Sequence, residues 1–154
     1  MFIIKKHLAT NSLKILSNIL LFIVGIILVD LILGLVFVEK NKFNINMSLS
    51  FVVYLIYFFI IYNLCKVVYS TNLTPFCFEN VRKFKTIGYG MFMIGILDGI
   101  INFKRKGGLE LLATNYGSIK GSFIMYIVLA FMAFVLAEIF KNAVEIKEEN
   151  DLTI

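Results

Sequence analysis

The chain has 154 residues, of which 60% are hydrophobic and only 16% charged, with one Pro, no Trp and a mean hydropathy of +0.89. Soluble domains average roughly 45–50% apolar and about 25% charged residues, and one of this size still exposes about a third of its unfolded surface. The polar residues here are too few to cover such a surface, which excludes an ordinary soluble domain. The net charge of +5 does not point to nucleic acid, because Lys and Arg stand in short groups between apolar blocks, the distribution that orients membrane helices. A transmembrane helix takes about 20 apolar residues, so the length holds three or four spans and no further domain of ~100 residues.

In chain order, Lys5, Lys6 and His7 precede an apolar block at residues 13–38, which has Lys14 at its start. The arrangement is similar to a signal peptide, yet the block exceeds a 7–15-residue apolar region and no Ala-x-Ala site follows. It is expected to be an uncleaved first span, and His7 has no metal-ligand spacing around it. The polar residues 39–46 end this block. A second span is expected at residues 49–68, where Tyr54, Tyr57, Tyr62 and, just beyond, Tyr69 suit the headgroup region.

The connector at residues 70–85 opens a helix at Thr74-Pro75. Phe78, Val81 and Phe84 then recur every three residues while Arg82, Lys83 and Lys85 take other positions. This predicts a short amphipathic helix along the membrane surface at about 75–86. The third span, 87–103, is short and contains Gly88, Gly90, Gly95, Gly99 and Asp98. A loop with Lys104-Arg105-Lys106 and Lys120 leads to the fourth span, 121–140. The tail at 141–154 keeps helical character, with Ile139, Ala143 and Ile146 on one face, and turns acidic. The expected fold is all-α: one integral membrane domain over 1–154, a four-helix up-down bundle with the surface helix between spans two and three.

Four spans put both termini on one side. That side carries nine Lys and Arg against six on the other, so both termini are expected in the cytoplasm. Asp30 and Asp98 fall within spans, where an ionisable residue costs roughly 2.5–3.5 kcal/mol at the helix centre. Counted from their span ends they lie about 12 and 8 Å deep, in the same leaflet. One reading is a proton or cation site, or an anchor for a cationic ligand. The other is structural, with both carboxyls protonated, hydrogen-bonded to a neighbouring helix or paired with Lys104 or Lys120.

Gly95 and Gly99 form a small-xxx-small pair that lets helices approach closely, either inside the bundle or in a homodimer. Glu138 reads as a boundary residue within reach of Lys141. Cys65 and Cys77 lack a CxxC or Cys/His spacing and read as free structural thiols, with a disulfide or metal site as alternatives. No Glu-x-x-His or His-Glu-x-x-His arrangement, nucleophile with a nearby base, or phosphate loop is present. Neither enzymatic activity nor a cofactor is expected.

The run Thr74-Pro75-Phe76, Glu79-Asn80-Val81 and Ile87-Gly88, with the ending Phe140-Lys141 and residues 148–154, resembles the bacterial membrane family known as domain of unknown function 2975. The resemblance covers the whole chain in its spacing of apolar blocks. It implies a four-helix integral membrane protein of the bacterial plasma membrane without assigned enzymatic activity. Members are often encoded beside a small helix-turn-helix regulator of the Cro/repressor type, which implies a regulatory role. The family commonly has Thr or Ser where this chain has Cys77, and a thiol caps a helix poorly, which leaves Thr74 as the alternative cap.

Two functions compete. In the first, a non-enzymatic membrane component sequesters a cytoplasmic helix-turn-helix regulator, contacting it through Arg82, Lys83 and Lys85 and through Glu148, Glu149 and Asp151. In the second, a small transporter or immunity-type protein uses Asp30 and Asp98. A structural subunit of a larger complex is a third possibility. The expected partners are the lipid bilayer, the regulator and a second copy of the chain, without direct nucleic-acid binding.

Overall fold

The computed structural model describes residues 2–37, 45–70, 75–105 and 107–152. They form four helices, α1 (Phe2–Phe37), α2 (Ile45–Ser70), α3 (Phe78–Asn102) and α4 (Gly121–Leu152), with strands β1 (Glu110–Thr114) and β2 (Gly117–Lys120) between α3 and α4. All four helices are long and apolar enough to cross a membrane. They have 36, 26, 25 and 32 residues. At 1.5 Å per residue these are about 54, 39, 37 and 48 Å long, against a hydrocarbon core of about 30 Å. Without water to satisfy its N–H and C=O groups, an apolar chain in lipid bonds them within the helix. Phe22, Ile26, Val29 and Phe131 are all more than half exposed, a degree of apolar exposure that lipid covers and water does not favour. The chain is therefore an all-α, four-helix membrane protein, and it divides into two compact units, Met1–Pro75 and Phe76–Ile154.

In the first unit α1 and α2 pack antiparallel. Near the middle of α1, Ser17 is buried beside Cys65, whose thiol donates to the Ser17 carbonyl at 3.4 Å. Asn18 donates its amide to the Tyr69 hydroxyl at 2.7 Å, and the Lys14 ammonium lies 5.2 Å from the centre of the Tyr69 ring. Lys66 sits 4.7 Å from the Tyr62 ring centre. These amphipathic rings thus hold two ammonium groups at one end of the pair, the arrangement favoured at a membrane interface. Cys65 and Cys77 are both free thiols.

In the second unit α3 and α4 are antiparallel and joined by the hairpin. Phe84 meets Phe140, Gly88 meets Phe134, Gly95 meets Ile127 and Gly99 meets Phe123. Val81, Phe84, Ile87 and Ile94 are buried on α3, and Ala130, Ala133, Ala137 and Val144 on α4. Small residues on both sides let the backbones come close, which is what holds helices together where lipid competes for apolar contacts.

The expected surface helix at 75–86 is not a separate element. α3 runs unbroken from Phe78, because Val81, Phe84 and Ile87 form a packing stripe against α4 rather than a face turned to lipid headgroups. The third span thereby gains the length that residues 87–103 lack. Cys77 is the N-cap of α3 and makes no side-chain cap bond; its carbonyl instead accepts from Asn80 at 3.0 Å and Val81 at 3.4 Å. The alternative cap Thr74 lies outside the described residues, as do the polar residues 39–44, Lys106 and the side chain of His7.

The second difference is the hairpin, which occupies what reads in sequence as a loop. β1 and β2 pair antiparallel from Thr114 opposite Gly117 to Glu110 opposite Lys120, with an irregularity between Glu110 and Leu112. Thr114 accepts at its hydroxyl from the Tyr116 and Gly117 amides and donates to the Gly117 carbonyl at 2.9 Å, which closes the Asn115-Tyr116 turn.

Candidate functional site

Three places in the fold hold the polar residues singled out above. The first is the hairpin end of the second unit. Asp98, one turn from the end of α3, accepts from Asn102 Nδ2 at 2.8 Å and from Ser122 Oγ at 2.6 Å. Its two oxygens are thus each taken by a donor, one from its own helix and one from the first turn of α4. In a low-dielectric setting such satisfied bonds fix the register of two helices. Lys120 does not pair with Asp98. It is buried, donates to the Gly107 carbonyl at 2.9 Å and forms an ion pair with Glu110. The hydrogen bond from Lys120, then its charge, holds the Glu110 carboxyl below the ordinary value for a glutamate.

The hairpin is latched to the helices by two backbone bonds, Ser118 N to the Phe103 carbonyl at 2.8 Å and Gly121 N to the Leu109 carbonyl at 2.9 Å. Between the end of α3 and the hairpin opens a cleft of about 720 Å³ walled by Lys104, Arg105, Glu110, Asn115, Tyr116 and Ser118 among others. Behind it a smaller cavity of about 350 Å³ is bounded by Asn102, Arg105, Lys120 and Ser122. Arg105 reaches Asn102 Oδ1 only at 3.5 Å, the limit of a hydrogen bond, so its guanidinium keeps donors to spare.

The second place is Asp30, in the first unit. It is exposed on α1 and borders a groove of about 770 Å³ that is otherwise mostly apolar, lined by Gly25, Ile26, Val29, Leu33 and Phe58 together with Asn18. Asp30 and Asp98 belong to different units.

The third place is the opposite end of the second unit, where α3 begins and α4 runs on into the tail. Phe76 and Phe84 both meet Phe140 in tilted ring contacts, with ring centres 5.7 and 4.9 Å away, so the start of α3 is fixed to α4. Arg82 and Lys85 are exposed. Lys83 differs from the expectation of a docking residue: its side chain is only 10% exposed and its ammonium is 2.8 Å from Glu79. On α4, Lys141 lies between Glu138 at 3.5 Å and Glu145 at 3.7 Å. Glu148, Glu149 and Asp151 are exposed on a helix that continues to Leu152.

Gly95 and Gly99 face α4 within the unit; a Cβ at either would come to 3.1 Å of Ile127 or 2.9 Å of Phe123. Gly88 extends this seam, and its spacing of seven residues before Gly95, about two helical turns, is the signal that could have found it. Asn102 was likewise legible as the residue four beyond Asp98, on the same helix face. Ser122 was not, because only the register of α3 on α4 brings it to Asp98.

No curated protein and no solved structure matches the chain. The family model described as "Protein of unknown function (DUF2975)" matches residues 40–154, which takes in α2, α3, the hairpin and α4, and the chain belongs to that family.

Proposed function

We propose that this protein is a non-enzymatic membrane anchor that binds a small cytoplasmic helix-turn-helix regulator and withdraws it from DNA. The observation that carries this reading is the continuation of α4 as helix to Leu152 with Glu148, Glu149 and Asp151 exposed. Beyond residue 140 that extension is about 18 Å long at 1.5 Å per residue. A DNA-binding domain carries Lys and Arg for phosphate contacts, and a rigid acidic helix offers a competing partner for them. Arg82 and Lys85 at the same end, held by the Phe76 and Phe84 contacts to Phe140, would pair with acidic residues elsewhere on the regulator. The reading places both termini in the cytoplasm.

The competing reading, transport or immunity through Asp30 and Asp98, has less to stand on, since Asp98 is already taken up by Asn102 and Ser122. For the anchor, deletion of residues 148–154 from the full-length protein is expected to reduce co-purification of a co-expressed helix-turn-helix regulator by tenfold or more. Unchanged recovery, with the shortened protein still in the membrane fraction, contradicts the role of the tail.

A further inference from the structure

The hairpin end has chemistry that the anchor reading does not use. We propose that the cleft between the end of α3 and the hairpin is a binding site for the phosphodiester headgroup of an anionic phospholipid, held by Lys104 and Arg105.

The charge balance of the cleft is the first ground. Glu110 is the acidic residue in its wall, and its charge is matched by Lys120, the ammonium of which is also bonded to the Gly107 carbonyl. Lys104 and Arg105, both exposed, therefore leave the cleft with two positive charges that no carboxylate among the described residues offsets. Arg105 spends one donor on a 3.5 Å contact with Asn102, and the rest of its planar fork matches two oxygens of a phosphate, while Lys104 adds a point charge. A volume of about 720 Å³ accommodates a headgroup.

The second ground is where the cleft lies. α3 ends at Asn102 and α4 begins at Gly121, so the eighteen-residue connector stays within a short reach of the ends of two helices that span the membrane. The hairpin there exposes Leu109 at 73%, Leu112 at 64% and Tyr116 at 87%. Such side chains on a surface loop are favourable when they enter the boundary between headgroups and acyl chains. Tyr116 lines the cleft together with the two cations, and Leu109 and Leu112 are exposed on the same connector, a combination complementary to a lipid, which brings acyl chain and phosphate together. A soluble phosphate would use the cations alone.

The chain has no Trp, so Tyr116→Trp supplies one reporter at the mouth of the cleft. The full-length protein is placed in phosphatidylcholine nanodiscs that contain a minor fraction of either brominated phosphatidylglycerol or brominated phosphatidylcholine. Quenching is then compared at equal bromine content. The expected result is preferential quenching by phosphatidylglycerol that corresponds to an affinity advantage on the order of tenfold, from about two surface cations. Lys104→Gln with Arg105→Gln is expected to abolish the preference at an unchanged melting temperature. If that double variant fails to fold, Lys104→Gln alone, at an exposed position, is expected to lower the preference several-fold. Equal quenching by the two lipids overturns the proposal, as does a preference unaffected by the substitutions. A preference erased by inorganic phosphate but not by chloride of equal ionic strength overturns the lipid as the source and assigns the site to soluble phosphate.

Discussion

Gly88→Ala is expected to destabilise the second unit by about 1–3 kcal/mol and to lose most of that cost when Phe134 is also replaced by Ala. A Cβ at Gly88 would stand 2.6 Å from the edge of the Phe134 ring, well inside contact distance, and neither helix can withdraw without opening the seam. Phe134 also meets Tyr89 edge to face with ring centres 5.1 Å apart, a contact that a displaced ring would lose. Gly117→Ala provides the contrast. Its Cβ would meet both the Phe103 ring and the Phe103 carbonyl oxygen, the latter at 2.7 Å. That oxygen accepts the Ser118 amide and latches β2 to α3. Truncating Phe103 removes the ring but leaves the carbonyl, so Phe103→Ala is expected to rescue Gly117→Ala only in part. Thermal melting in detergent followed by helical circular dichroism, run as two double-mutant cycles, measures both couplings. Equal rescue in the two cycles contradicts the backbone latch, and no rescue in the first contradicts the seam.

Asp98→Ala is expected to cost about 2–3 kcal/mol, whereas Asp98→Asn is expected to cost under about 1 kcal/mol. Alanine leaves the half-buried Asn102 amide and Ser122 hydroxyl without their acceptor, and unmade bonds to donors shielded from water are the expensive case. Asparagine keeps one carbonyl acceptor, and its amide can donate to the Ser122 oxygen once that hydroxyl turns. The comparison also separates the two roles of this residue. Tying α3 to α4 needs hydrogen bonds and tolerates the amide, while a proton or cation site needs the ionisable group. Melting temperatures of the two variants decide the first point, and the cell's sensitivity to cationic peptides the second. An Asn variant as unstable as the Ala variant contradicts the hydrogen-bonding role.

The four apolar blocks were legible because lipid imposes a simple demand on a sequence: about 20 apolar residues with few charges. Helix ends were less so. Arg82, Lys83 and Lys85 interrupt the hydropathy of α3 and suggested a surface element, but Lys83 is neutralised by Glu79 one turn earlier and the apolar positions among them serve the contact with α4. The hairpin escaped for a related reason. β1 is exposed along its whole length, so its residues show no inside-outside alternation, and Thr114 is the one β-branched residue among its five, where strands are usually rich in them. The Asn115-Tyr116-Gly117 turn was its one clear signal. For the candidate sites, residue types could be picked out one at a time, and partners within a turn of one helix could be paired. Ser122 with Asp98, Lys120 with Gly107 and the cleft over Lys104 and Arg105 all depend on how distant segments meet, which no local pattern records.

In the proposed function α4 crosses the bilayer and presents its acidic extension to the cytoplasm, with the hairpin on the far side. Single cysteines introduced as Asn115→Cys or Glu149→Cys, in a chain with Cys65 and Cys77 changed to Ala, test this. A membrane-impermeant maleimide applied to intact cells is expected to label the Asn115→Cys protein at once and the Glu149→Cys protein only after permeabilisation. Labelling of both from the same side would contradict the crossing of α4, and the reverse pattern would contradict a cytoplasmic partner for the tail.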